Sequence, residues 1–189
     1  EAVKGLMLAK MRNGGAACTA ANRIYVQRPV AKEFTEKFAA AMGAFVMGRG
    51  RDAGVQLGAS VSVKERNKIA ELVDNSIKAG AKVLTGGKTP DGPGAFYPAT
   101  VLEVNKQAEI LNHEVFGPVA PVVLFDTDAE AIELANSTDF GLISYVYSEN
   151  LKRAIQISEA IESVMVAINR GLISDPAAPF GGVKQSGLG

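Results

Sequence analysis

The sequence is poor in the residues that build covalent or metal-bound cores. It has one cysteine, so no intramolecular disulfide and no Cys-based metal site can form. A single histidine argues against a His-cluster metal site in the same way. Excess charge is missing too: Lys+Arg and Asp+Glu are both 20, for a net charge of zero. A nucleic-acid binder normally shows a basic excess, and none is present. Nor is there a polybasic or amphipathic membrane anchor, or an apolar run approaching the roughly 20 residues needed to cross a bilayer. The opening EAVKGLMLAKMRNGG lacks the basic region and apolar core of a signal peptide. These absences set the expectation of a cytoplasmic protein that binds no metal, nucleic acid or membrane. The chain has no initiator Met and stops on GVKQSGLG, so it reads as an excised piece of a longer protein.

What is present suits a folded domain: 47% hydrophobic residues, 21% charged and 20 glycines in 189 residues. Apolar runs rich in Val and Ile alternate with longer amphipathic stretches. That alternation implies an α/β fold, an open twisted and mostly parallel sheet with helices on both faces, in one domain over residues 1–189. Helical period is expected over Ala2–Met11, with Leu6, Met7 and Lys10 spaced by a turn, and over residues 30–46, where Phe34, Phe38 and Met42 recur on one face. It returns over residues 61–79, with Ile69, Leu72, Val73 and Ile77 as the buried stripe and Gly80 as the stop. Strands are expected over residues 22–27, Lys82–Thr85, Val119–Phe125, 142–147 and 164–168. Asp126 or Asp128 is expected to cap a helix over 129–136, and Asn150 one over 151–161. Residues 48–60 and 86–94 read as glycine-rich loops and 171–189 as irregular.

Three places could carry chemistry. Cys18 lies in NGGAACTA between a helix and a strand, among small neighbours that let a carbonyl approach its sulfur and nearby N–H groups. A thiolate attacks an aldehyde readily, but the local sequence alone favours a buried cysteine acting as a small hydrophobe. The segment PFGGVKQSGLG, residues 179–189, reads either as a phosphate cradle, though without Walker A spacing, or as a surface turn. In HEVFGP, residues 113–118, Glu114 and Phe116 could point the same way from extended backbone. The other reading is a helix end with Glu114 solvated and Phe116 in the core.

In this order the segments resemble the aldehyde dehydrogenase superfamily. The resemblance runs through RNGGAAC and ANRIYVQ (12–18 and 21–27), AGAKVLTGG (79–87), YPATVL (97–102), EVFGP (114–118), ANSTDFGL (135–142) and the terminal PFGGVKQSGLG, and so covers nearly the whole chain. Arg12-Asn13 before the cysteine and Gly171-Leu172-Ile173-Ser174 before Ala178-Pro179-Phe180 look most like the branch that oxidises succinic semialdehyde. The resemblance implies the catalytic, cysteine-bearing domain, Rossmann-like in fold. It implies Cys18 as the nucleophile that forms a thiohemiacetal and then a thioester, with its backbone N–H as half of an oxyanion hole. Glu114 would hold the nicotinamide ribose hydroxyls and Phe116 would pack beside the nicotinamide of NAD or NADP. Arg12 and Ser174 would hold the substrate's distal carboxylate, as a guanidinium fork and a hydroxyl can, and Phe180 would line the pocket. Arg12 could instead be a cation at a helix C-terminus. Intact relatives are homodimers or homotetramers.

The chain departs from the family pattern at Ala16, where Gln is common, at Ala20, where some relatives carry a second cysteine, and at Leu57-Gly58-Ala59-Ser60, where Gly-Pro-Leu is expected. The family's general-base Glu, the side-chain half of its oxyanion hole, its main cofactor-binding domain and its C-terminal oligomerisation arm belong outside these residues. The expectation is a fragment that folds but barely oxidises aldehydes alone. Competing readings are a dehydrogenase for another aldehyde, a non-catalytic homologue serving assembly, and a thiol hydrolase or transferase, whose only available His113 lies far along the chain from Cys18.

Overall fold

The computed structural model describes residues 1–189. They form two compact units, one of residues 10–124 and one of residues 1–9 with 125–189. Helix α1, Ala2–Met11, contains the first passage between them, and buries Leu6, Ala9, Lys10 and Met11. No helix is long and apolar enough to cross a membrane.

In the unit of residues 10–124, strand β1 (Ile24–Gln27) runs directly into α2 (Arg28–Gly43). Pro29 stands in its first turn, where the missing N–H has no helical partner to lose. The helix buries Ala31, Thr35, Phe38 and Met42, at i, i+4, i+7 and i+11, and packs on the sheet. Thr35 remains inside because its hydroxyl donates to the Ala31 carbonyl at 2.8 Å. Helix α3 (Val63–Lys78) starts where the Ser62 hydroxyl accepts from the Glu65 N–H at 3.1 Å, and the chain leaves it through Gly80, in the left-handed region at φ 94°. Its buried face is Ile69, Val73 and Ser76. The expected stripe is therefore corrected: Ile77 is 37% exposed and Leu72 only half-buried. The i, i+4, i+7 face falls on a serine, tolerated because its hydroxyl donates to the Leu72 carbonyl at 2.7 Å.

Strands β2 (Lys82–Thr85), β3 (Thr100–Glu103) and β4 (Val119–Phe125) complete a four-stranded sheet of order β1-β4-β3-β2. The sheet is mixed: β3 and β4 are parallel with Leu102 opposite Pro121, while β2 meets β3 antiparallel with a bulge between Val83 and Thr85. The position of β4 between β1 and β3 explains its continuous apolar run, buried at every residue except Leu124. A proline inside an internal strand is unusual. Here the β3-facing bonds run through the carbonyls of Pro118 and Val122, and by the two-residue alternation Pro121 falls on the other side of that ladder. Strand β3 was not expected, because residues 97–102 alternate too little to stand out.

The other unit carries α4 (Asp128–Asn136), β5 (Phe140–Gly141), β6 (Ile143–Val146), α5 (Leu151–Ala160), β7 (Met165–Ile168) and β8 (Val183–Lys184). Strands β6 and β7 pair in parallel, and β5 and β8 antiparallel, so the irregular tail expected over 171–189 does contain a short strand. The cap of α4 is Thr127, whose hydroxyl accepts from the Glu130 N–H at 3.2 Å, and neither Asp126 nor Asp128. Asp128 is the first helical residue and accepts from Arg153 of α5 along one guanidinium edge, from Nε at 2.8 Å and from Nη2. That pairing lowers the Asp128 pKa and raises that of Arg153. Asn150 caps α5 as expected, accepting from the Arg153 N–H at 3.0 Å.

Two substitutions measure these features through urea midpoints. Phe38→Ala, which empties a fully buried site, is expected to remove about 3–5 kcal/mol of stability. Thr127→Ala is expected to remove about 1 kcal/mol, with little change in the dependence on denaturant.

Candidate active site

Helix α1 ends at Met11 and the chain leaves it through a 3-10 turn, Arg12–Gly15. Three consecutive residues are left-handed there: Asn13 at φ 52°, Gly14 at 61° and Gly15 at 80°. Asparagine tolerates this conformation better than other side chains, and its Nδ2 donates onward to the Ala16 carbonyl at 2.8 Å. A second turn follows, closed by the Ala20 N–H on the Ala17 carbonyl at 2.9 Å, with Cys18 at its first central position. The Cys18 thiol is free and exposed. The buried-cysteine reading is thereby overturned: the turn holds the residue at the surface among small neighbours.

His113 has extended dihedrals, residues 114–116 lie outside any helix or strand, and the Gly117 N–H closes a tight turn on the Val115 carbonyl at 2.9 Å. Val115 is buried, while Glu114 is exposed and Phe116 is 47% exposed. Phe116 is therefore not a core residue, and Glu114 and Phe116 are both exposed on either side of the buried Val115. Gly117 closes the segment under α3, where an added Cβ would lie 2.4 Å from Ile69 Cδ1.

Two contacts bring this segment to the cysteine turn. A Cβ on Gly15 would sit 2.1 Å from the Gly117 carbonyl oxygen, so the two backbones meet where no side chain fits. Asn22, four residues beyond Cys18, donates from Nδ2 to the His113 carbonyl and accepts from the Val115 N–H at 2.8 Å. Arg12, Cys18, Glu114 and Phe116 thus share one unit, each exposed on it. Asn22 and Gly117 carried no expectation from sequence. The only signal was that both lie inside segments quoted for the family resemblance.

Ser174 and Phe180 belong to the other unit, and both are exposed. The terminal glycine-rich segment there is a clasp. Its N–H groups at Gly182, Gln185, Ser186 and Gly187 are taken by the carbonyls of Gly187, Asp139, Val183 and Lys184. The Ser186 hydroxyl accepts from the Gly141 N–H at 3.0 Å. Lys184, left-handed at φ 54°, donates to the carbonyls of Asn136, the last residue of α4, at 2.9 Å and of Thr138 just beyond it at 3.1 Å, and pairs with Glu162. These bonds leave the segment poorly suited to cradle a phosphate.

One functional group escaped the sequence reading. Lys10 belongs to the buried face of α1, is fully buried, and its Nζ has no hydrogen-bond partner. Burial pushes its amine from 10.5 down to about 7, and the charge of Glu114 opposes the shift. A lysine at one-turn spacing from Leu6 was the available sign; from sequence alone such a lysine can equally lay its stem along the surface and keep its charge in water.

Comparison with known proteins places this arrangement. The model of the aldehyde dehydrogenase family matches residues 1–189. Succinate-semialdehyde dehydrogenase of Paenarthrobacter nicotinovorans is 55% identical, over all of this chain and 42% of its own length. The crystal structure of succinate-semialdehyde dehydrogenase from Burkholderia pseudomallei superposes with a TM-score of 0.96 at 41% identity, over all of this chain and 39% of that one. A structure of PnpE in complex with nicotinamide adenine dinucleotide gives a TM-score of 0.95 at 38% identity, again over all of this chain and 39% of that one. The chain spans about two fifths of the length of the relatives it matches.

The buried lysine makes stability depend on pH. Between about 7 and 10.5 the unfolded chain holds a proton that the folded chain has lost. Stability therefore rises with pH across that window, and below it Lys10 adds no pH dependence while its buried charge destabilises most. Lys10→Met keeps the apolar stem without the charge. It is expected to raise the unfolding free energy from urea titration at pH 6, by a few kcal/mol at most, and to flatten the rise toward pH 10. Parallel pH profiles for parent and variant would contradict the buried amine.

Proposed function

This chain belongs to the aldehyde dehydrogenase family, and from that premise we propose that its 189 residues are the cysteine-bearing catalytic domain of an enzyme oxidising succinic semialdehyde to succinate. The observation that carries the reading is the exposed Cys18 thiol on a turn locked against the segment that exposes Glu114 and Phe116. The 55% identity to a succinate-semialdehyde dehydrogenase supports the substrate. A non-catalytic assembly module gives no reason for a free thiol to be held at the surface beside an exposed carboxylate and ring.

The residues present fit a nicotinamide nucleotide. The exposed Glu114 carboxylate offers acceptors to a pair of ribose hydroxyls, and the half-exposed Phe116 ring offers a flat apolar face to a planar ring. Bound there, NAD or NADP supplies the two-electron acceptor; most of its contacts belong to a cofactor-binding domain outside these residues. The Cys18 thiolate adds to the aldehyde carbon, forming the C–S bond while the carbonyl electron pair moves onto oxygen. The Cys18 N–H donates to that oxyanion. Once hydride has left the carbon, the Cys18 adduct is a thioester. Attack by water releases the carboxylic acid and returns the thiolate. Arg12 is assigned to the distal carboxylate of the substrate; the same role for Ser174, and a pocket-lining role for Phe180, rest on the family resemblance of their motifs. The general base for hydrolysis lies outside this chain, and the whole enzyme works as a homodimer or homotetramer.

Steady-state kinetics of the full-length enzyme test the assignment. Cys18→Ser is expected to abolish dehydrogenase turnover. Arg12→Ala and Ser174→Ala are each expected to raise KM for succinic semialdehyde by about 10–100-fold, the loss of a charge-assisted hydrogen bond, while leaving an uncharged aldehyde of similar length unaffected. A preference for the acidic substrate that survives both changes would move the assignment to another aldehyde. The isolated 189 residues are expected to produce no measurable NAD(P)H yet to take up one equivalent of iodoacetamide without denaturant. Alkylation only after unfolding would count against Cys18 as the nucleophile.

A further inference from the structure

Asn22 is joined to the segment that carries Glu114 by two hydrogen bonds of one side chain. Its Nδ2 donates to the carbonyl of the residue before Glu114, and its Oδ1 accepts from the N–H of the residue after it, at 2.8 Å. Bonded to one carboxamide, those two groups face the same side of residue 114. A neighbouring parallel strand makes the same pair of bonds, one residue bridging i−1 and i+1 of its partner. No strand lies here: residues 113–118 belong to none, and β1 starts only at Ile24. The carboxamide supplies the missing rung.

We propose that Asn22 is a positioning residue that sets the Glu114 backbone at a fixed distance from the Cys18 turn. The chemistry of the side chain supports this. Only a carboxamide presents a donor and an acceptor side by side without charge; a carboxylate lacks the donor and a hydroxyl lacks the reach. The placement supports it as well. Asn22 follows Cys18 by four residues and reaches a segment more than ninety residues away, so one side chain spans the nucleophile's segment and the carboxylate's. With residue 114 held on both flanks, the exposed Glu114 side chain keeps only its own rotamers. Gly15 against Gly117 fixes the separation of the two backbones, and Asn22 fixes their register. The proposal rests on reading Cys18 and Glu114 as nucleophile and cofactor anchor.

The experiment uses the full-length enzyme with Asn22→Leu, which keeps the shape and removes both bonds without adding charge, and Asn22→Asp, which keeps the acceptor alone. Glu114→Gln is the control. Hydrogen exchange read by mass spectrometry on a peptide spanning residues 113–117 should lose the protection of one amide, that of Val115, in Asn22→Leu and keep it in Asn22→Asp, while the His113 and Gly117 amides, bonded to the Ile110 and Val115 carbonyls, do not depend on the Asn22 side chain. In Asn22→Leu the KM for the dinucleotide should rise about tenfold, as loss of a net hydrogen bond predicts. The KM for the aldehyde and the alkylation rate of Cys18 should stay within twofold. A Val115 amide that exchanges freely in the parent overturns the proposal whether or not any variant folds. So does a dinucleotide KM unchanged in Asn22→Leu while Glu114→Gln raises it. If Glu114→Gln also leaves that KM unchanged, the cofactor reading of Glu114 is what fails, and the proposal falls with it.

Discussion

The arrangement depends on the approach of two peptide backbones at Gly15 and Gly117. The chain leaves α1 through three left-handed residues, and the third comes so near the Gly117 carbonyl that a Cβ would lie 2.1 Å from its oxygen. No rotamer adjustment relieves a clash of backbone with backbone, so glycine is required at position 15 on conformation and on space together. The exposed groups follow from this point. Cys18 lies three residues after Gly15, and Phe116 and Glu114 lie one and three before Gly117. Their separation is set by stiff peptide units, which is the kind of support a reactive site needs if its geometry is to survive side-chain motion. Gly117 is itself pressed by Ile69, which ties the same point to the buried face of α3.

Polar groups inside this unit follow two rules. The buried hydroxyls of Thr35, Ser76 and Thr100 all donate to carbonyls within four residues, and Thr100 also accepts from the Gly87 N–H at 2.9 Å, anchoring the loop after β2 to β3. The Tyr97 hydroxyl and the Lys10 amine break that rule, both buried and unpartnered, and burial brings the Lys10 pKa down to about 7. Lys10 lies two residues before Arg12, on the helix that leads into the cysteine turn, and the charge that acts on it is that of Glu114. Perturbed ionisable groups concentrate where function constrains the chain more than stability does.

The terminal segment of the other unit shows how composition can mislead. Four glycines, a lysine and a serine resemble a phosphate loop on paper. In the fold its N–H groups are taken by carbonyls of its own turns and of Asp139, its serine accepts from Gly141, and its lysine serves carbonyls at and just after the end of α4 together with Glu162. Glycine is needed there for close approach: Cβ atoms on Gly181 and Gly189 would lie 2.3 and 2.2 Å from the backbone oxygens of Leu188 and Phe180.

Local periodicity determined most of the elements. The seven apolar residues of β4 could only be a strand covered on both faces, and β2 and the cap of α5 fell on the expected residues, because propensity, spacing and capping act within a few positions. The ordered motifs likewise identified the family, and with it the residues proposed as nucleophile and cofactor anchor. Tertiary structure decided what depends on partners far along the chain. It put Ser76 in the buried face of α3 in place of Ile77, chose Thr127 over two aspartates as a cap, exposed Cys18 and Phe116, and buried Lys10. It also joined Asn22 to residues 113 and 115 and Gly15 to Gly117. Those contacts span more than ninety residues, and a periodicity read within one turn of helix or a few residues of strand has no term for them.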